Sequence, residues 1–165
     1  MVRTGGLSEE LADLGRLVVD ANKYLCLSTA DESGLPWASP VHYTPDGYQR
    51  FLWVSSPDTQ HSRNIAARPE VAIAIFDSSV RIGGAEAVYL RAVARLVPDE
   101  ELDSATGVYS ARFDELAEFT SAQLRPPAPF RLYEANVTEQ FVLIRGGDQR
   151  FGRGHDSREP VDLST

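Results

Sequence analysis

Residues 24–77 read YLCLSTADESGLPWASPVHYTPDGYQRFLWVSSPDTQHSRNIAARPEVAIAIFD, and this stretch decides the fold. From Tyr24 the pattern has period two. Leu25, Leu27 and Thr29 point one way, and Tyr24, Cys26 and Ser28 the other. Asp31-Glu32-Ser33-Gly34 reads as a turn. A second strand over 35–44 carries Pro36 and Pro40, which restrict it to an edge or a bulged position. Asp46-Gly47 signals a hairpin into a strand over 48–55. A helix opens on SSPDTQHSRN, residues 55–64, and stops at Arg68-Pro69. The apolar run over 71–76 then predicts a strand covered on both faces.

The helix opening is rich in hydroxyls and imidazole, with no carboxylate after Asp58. The first amides of a helix have no intrahelical partner and the dipole is positive there, so the segment suits an anion such as a phosphate. Asp58 or Thr59 also serves as a plain N-cap, a use that needs no ligand. His61 has the same two readings, surface histidine or phosphate contact. Arg63 and Asn64 either join the ligand or fix the helix to a strand end.

Outward from this stretch, Leu7, Leu11, Leu14 and Val18 recur at helical spacing and predict a helix over 8–21 within an N-terminal segment 1–22, capped by Ser8. After the loop with Gly83-Gly84 comes a long strand over 87–97. Val88, Leu90, Ala92, Ala94 and Leu96 form one apolar face, and Tyr89, Arg91, Val93, Arg95 and Val97 the other. That second face suits a partner or a ligand, with Arg91 and Arg95 either paired to acidic residues across a dimer, the favoured reading, or lining the ligand pocket. A helical region starts after Pro98-Asp99-Glu100-Glu101, breaks near Gly107 and resumes with Tyr109, Phe113 and Leu116. Residues 130–135 and 140–145 predict a final antiparallel pair, and the tail 146–165 is expected to be pinned only in part. The expectation is one domain over 1–165, mainly β: six or so antiparallel strands in a small closed or split barrel with flanking helices. A small barrel with a phosphate seat on its one interposed helix points to a flavin-type cofactor.

The length supports a core without disulfide or metal. A formal charge of −8 disfavours nucleic acid and anionic membranes as partners. With one cysteine, no 18-residue apolar run and no apolar leader, a soluble cytoplasmic protein is expected. His42, His61 and His155 lack i,i+4 or cysteine partners, so no metal site is expected. Cys26 reads as an inert buried thiol. Trp37 and Trp53 read as core or interface anchors.

In order and local pattern the chain resembles the pyridoxamine 5′-phosphate oxidase-like, FMN-binding split-barrel family over roughly 24–145. The carrying segments are YLCLST at 24, GLPWASPVH at 34, LWVSS at 52, TQHSRNIAARPEVA at 59 and AVYLRAVARLV at 87. The resemblance implies a six-stranded antiparallel split β-barrel of Greek-key type with flanking helices, and a homodimer with two cofactor sites at the subunit interface. It places the strand from Trp37 past the flavin, with backbone groups of Ala38, Ser39 and Val41 as donors and acceptors. It places Ser55 and Ser56 near the phosphate, and Thr59, Gln60 and His61 where family members carry a serine and two basic residues. Arg63 and Asn64 follow on the same turn, and Glu86 falls near a ring-contacting glutamine. The neutral Gln60 and the anionic Glu86 depart from that pattern, so a deazaflavin coenzyme stands as the alternative to FMN, and a flavin-sensing dimer without turnover as the alternative to an oxidoreductase. Arg153-Gly154-His155-Asp156 is similar to the substrate-reading tail of the vitamin oxidases. The tryptophan upstream is missing, so the vitamin B6 substrate is not carried over. No residue is assigned a catalytic role.

Overall fold

The computed structural model describes residues 4–117 and 119–164. The first three residues of the 1–22 segment and Thr165 of the tail lie outside the described residues. Chain order is α1 (Thr4–Ala21), β1 (Tyr24–Ala30), β2 (Pro36–His42), β3 (Thr44–Asp46), β4 (Arg50–Ser55), α2 (Gln60–Ala67), β5 (Glu70–Phe76), β6 (Ala87–Leu96), α3 (Leu102–Ser110), β7 (Arg131–Ile144) and β8 (Ser157–Pro160). Short 3-10 turns lie at Asp114–Leu116 and Ser121–Leu124. The described strands form one curled antiparallel sheet in the order β2-β1-β5-β6-β7-β4-β3, with β8 added to β7.

Two proline-bearing features fall where backbone chemistry requires. β2, which cannot donate at Pro36 and Pro40, lies at the sheet edge. The β3–β4 hairpin turns through Gly47 and Tyr48, both at φ 59°, as a mirror-image turn demands. The main core fills the concave side of the sheet, with Trp53, Tyr43, Phe51, Leu27 and Ile75 fully buried. Trp53 stacks on Tyr133 at 5.8 Å. A second core lies on the outer face of β4 and β7, where Leu52 and Leu132 meet Leu102, Ala105 and Tyr109 of α3.

Several expectations are corrected. The strands expected over 130–135 and 140–145 are one strand. Between them the register with β6 shifts, so that Arg91 faces Glu139 and Ala92 faces Val137. The polar stretch at 136–139 is thus a β-bulge rather than a turn, and Thr138 Oγ1 donates to the Arg91 carbonyl at 3.1 Å. β7 pairs with β6 along one edge; on the other, its first half pairs with β4 and its second with β8. The strand count is therefore eight among the described residues, with β3 and β8 short additions. Helix α1 starts at Thr4, because glycine costs only about 1 kcal/mol and an established helix propagates through Gly5-Gly6. For the same reason α3 runs unbroken through Gly107.

β5 buries one face only: Val71, Ile73 and Ile75 point into the core while Ala72 and Phe76 are exposed. β6 ends at Leu96, where the alternation inverts and Val97, not Leu96, is buried. Arg91 and Arg95 find carboxylates inside the chain. Arg91 meets Glu139 at 2.8 Å, and Arg95 Nε meets Glu134 at 2.7 Å. Cys26 is partly exposed, not buried. Trp37 is half exposed on the edge strand.

The tail is tied down by specific contacts. Leu163 is fully buried, its amide donates to Gln140 Oε1 at 2.7 Å, and its side chain rests against Gly15 of α1. Arg112 closes the other end of α1. Its guanidinium donates to the carbonyls of Val19, Asp20, Asn22 and Tyr43 and covers the Tyr43 ring at 4.5 Å. Helix C-terminal carbonyls that have no intrahelical partner are satisfied by a cation from a distant segment.

Candidate functional site

Helix α2 begins on Thr59, whose extended backbone (φ −73°, ψ 156°) and side chain, accepting from the Ser62 amide, make it the N-cap. The turn ahead of it is built by Ser56. Its carbonyl accepts the Thr59 amide at 3.2 Å and hydroxyl at 3.0 Å, and its hydroxyl accepts the Asp58 amide at 3.2 Å. Ser55 closes β4 one step earlier.

Three polar atoms from this segment converge. Ser55 Oγ lies 2.8 Å from His61 Nε2, Thr59 Oγ1 lies 3.1 Å from the same nitrogen, and the two hydroxyls are 3.3 Å apart. The other ring nitrogen, Nδ1, lies 3.2 Å from Ser39 Oγ on β2, which also accepts from Trp37 Nε1 at 3.0 Å. Because Ser39 Oγ already accepts from Trp37, the arrangement that uses its own hydroxyl proton has Ser39 donating to Nδ1 and Nε2–H donating to Ser55 Oγ. His61 is only 8% exposed, and that burial lowers its pKa below the ordinary histidine value, so the ring is neutral at pH 7. The first-turn amides of α2 supply the remaining positive character.

Asn64 fixes the helix to the sheet. It is buried, donates to Thr29 Oγ1 on β1 at 2.9 Å and accepts from Gln60 at 2.8 Å. Arg63 is exposed; it donates to the Asp58 carbonyl and to Gln60 Oε1 at 3.0 Å. Val41 is buried in the core and Ala38 is exposed on the edge strand. The structure thus brings Trp37, Ser39, Ser55, Ser56, Thr59, Gln60, His61, Arg63 and Asn64 around one helix start. Glu86 lies elsewhere in the chain: it precedes β6 and approaches Arg145 at 3.8 Å. In the tail, Arg153 pairs with Glu159 at 3.4 Å and Asp156 accepts the Gly146 amide at 2.9 Å.

Sequence reasoning missed two groups. Glu134 is a fully buried carboxylate held by Arg95, by Arg50 at 3.2 Å and by Asn136 at 3.1 Å. Its strand position looked like any outward residue, and only the layer formed by α3 makes that face an interior. His42 lies in a cleft lined by Tyr24, Tyr109 and Phe113; a histidine between Val41 and Tyr43 carried no signal of it.

The comparisons with known proteins fall on the same architecture. A family model described as pyridoxamine 5′-phosphate oxidase matches residues 11–143. Among curated proteins no sequence matches. A heme binding protein from Mycobacterium smegmatis superposes with TM-score 0.70 at 20% identity, covering 93% of this chain and 59% of that one. HutZ, the heme storage protein from Vibrio cholerae, superposes with TM-score 0.57 at 19% identity, covering 85% of this chain and 95% of its own. A structure described as F420 reductase gives 0.55 at 21%, covering 76% and 94%. At these identities the likeness is one of fold. This chain spans about three fifths of the length of the M. smegmatis protein.

Proposed function

This chain belongs to the pyridoxamine 5′-phosphate oxidase family, and from that premise we propose that it is an FMN-binding, oxidoreductase-type protein working as a cytoplasmic homodimer. The observation that carries the reading is the Ser55–Thr59–His61 triangle at the start of α2. Two hydroxyls and an imidazole converge on one point at the start of α2, beside the first-turn amides of Gln60 and His61, which is the donor set a phosphate monoester needs. The residues present fit that group. Ser55, Thr59, His61 and the amides of the first turn would hold the phosphate, with Arg63 turning in from solvent as the nearby cation. The backbone of Ala38 to Val41 on the edge strand would run along the ring system, with Trp37 beside it.

When bound, the flavin supplies the hydride or electron chemistry. The chain's own residues orient it. Asn64 and Thr29 keep α2 in place, Ser39 sets the His61 tautomer, and the buried neutral imidazole offers its one N–H without adding a full charge. A second copy would meet the outward face of β5 and β6, where Phe76 at one end of the pair is 46% and Val93 at the other 43% exposed, with Ala72 and Arg91 between them.

A deazaflavin coenzyme is the second reading, favoured by one observation: Gln60 and the neutral His61 leave the seat without a fixed cation of its own. Titration of the purified protein with FMN and with the deazaflavin coenzyme, followed by fluorescence, tests both, with haem as a third arm followed by its Soret band. FMN quenching that saturates in the micromolar range supports the main reading. Unchanged FMN fluorescence up to about 50 μM overturns it, as does clear preference for either other ligand.

A further inference from the structure

Tyr24 opens β1 and sits opposite His42 near the end of β2. Val41 points into the core, so His42 points outward, and there α3 and the Asp114–Leu116 turn leave a cleft of about 330 Å³. That volume holds one aromatic ring with a substituent. Three rings stand edge-on to the His42 imidazole: Tyr24 at 5.7 Å, Tyr109 at 6.2 Å and Phe113 at 5.4 Å. His42 Nδ1 is buried and has no hydrogen-bond partner among the described residues. A buried polar atom without a partner is uncommon, and it marks a place where packing alone does not account for the residue.

The charges around the cleft set the kind of ligand. Lys23 stands at the mouth, 57% exposed, 5.0 Å from the Phe113 ring centre and 3.9 Å from Glu115, which is at the limit of an ion pair and open to solvent. Arg112 also faces His42, but its donors are committed to the four carbonyls at the end of α1. Burial first, then Arg112 and Lys23, lower the His42 pKa, with Glu115 opposing, so the ring is neutral at pH 7. Two cations against one carboxylate leave this mouth positive on a chain whose formal charge is −8. Flat walls and a positive rim select a flat anion.

We propose that the cleft between Tyr24, His42 and Phe113 binds a small planar aromatic carboxylate, its ring against the aromatic walls and its carboxylate on Lys23 in place of Glu115. The site is independent of the flavin reading, since none of its residues belongs to the α2 cluster, and its test uses no flavin.

The experiment is an NMR titration of the full chain with benzoate, following the imidazole resonances of His42, His61 and His155. Cyclohexanecarboxylate serves as the non-aromatic anion and benzyl alcohol as the uncharged aromatic. The expected result is a saturable shift of His42 alone, with a dissociation constant near 1 mM or below, and binding of either control about tenfold weaker. The exposed positions Lys23 and Tyr24 allow variants that keep the fold. Lys23→Gln should abolish the preference for benzoate over benzyl alcohol, and Tyr24→Ala should weaken benzoate about tenfold. No saturable His42 shift up to about 20 mM overturns the proposal. So does equal affinity for benzoate and either control, or unchanged benzoate affinity in Lys23→Gln.

Discussion

The contact between Gly15 and Leu163 offers a sharp test of how the tail is held. A Cβ placed on Gly15 would lie 2.7 Å from Leu163 Cδ2 and 3.0 Å from Val142 Cγ2. In the native background Gly15→Ala gains about 1 kcal/mol of helix propensity and loses about 1–3 kcal/mol to crowding, so it should be net destabilising by about 1 kcal/mol. Leu163→Ala, at a fully buried site, should cost about 2–4 kcal/mol. In the Leu163→Ala background the closest clashing atom is gone and a methyl on residue 15 fills part of the space left. Gly15→Ala should then change sign and stabilise by about 0.5–1 kcal/mol, a coupling of about 1.5–2 kcal/mol. Urea unfolding of the four proteins at one concentration, followed by far-UV circular dichroism, measures the cycle. An effect of Gly15→Ala that is the same in both backgrounds, within about 0.3 kcal/mol, would refute the claim that Leu163 is seated on α1.

Three further outcomes are expected. His42 and His61 both have folded pKa values below the ordinary 6.5, so on acidification the unfolded chain takes up protons that the folded chain refuses. Stability should be full above pH 6.5 and fall below it by up to about 1.4 kcal/mol per pH unit for each histidine, until the folded rings titrate. Chemical unfolding at pH 7.5 and 5.5 checks this, and His42→Phe should remove part of the difference. Arg112→Ala should cost about 1–3 kcal/mol because it strips the partly buried carbonyls at the end of α1 of their donor, with Arg112→Lys recovering only part; thermal melts read both. Phe76→Glu should leave the circular dichroism spectrum unchanged and convert a dimer to a monomer in light scattering. A dimer that persists would place the subunit contact away from the outer face of β5.

Much of the fold is written in local pattern. The alternation from Tyr24, the prolines of β2 and the Asp46-Gly47 turn act through backbone chemistry of a few residues, and each appears in the structure as read. The helix start at Thr59 is likewise local, since capping involves only the next three residues. What stayed illegible depends on partners distant in the chain. The stretch at 136–139 looks like a turn in isolation, and only the strand beside it makes it a bulge. Arg91 and Arg95 carried no sign that Glu139 and Glu134 would stand across from them on β7. The α2 residues were legible as a group, but not the return of Ser39 from β2 to hold the far side of the His61 ring. Glu86 was placed near the ring by analogy alone, and in the chain it stands beside Arg145 just before β6.

By itself, then, the amino-acid order determined the mainly β, split-barrel architecture and the polar helix start, because strand period, turn stereochemistry and capping are short-range effects. The tertiary structure alone decided which outward faces became interiors. Burial of Glu134 under α3, the seat of Leu163 on Gly15, the neutral state of His61 and the aromatic cleft at His42 all arise from surfaces brought together across tens of residues. Desolvation is a property of that assembled neighbourhood, and no residue carries it alone.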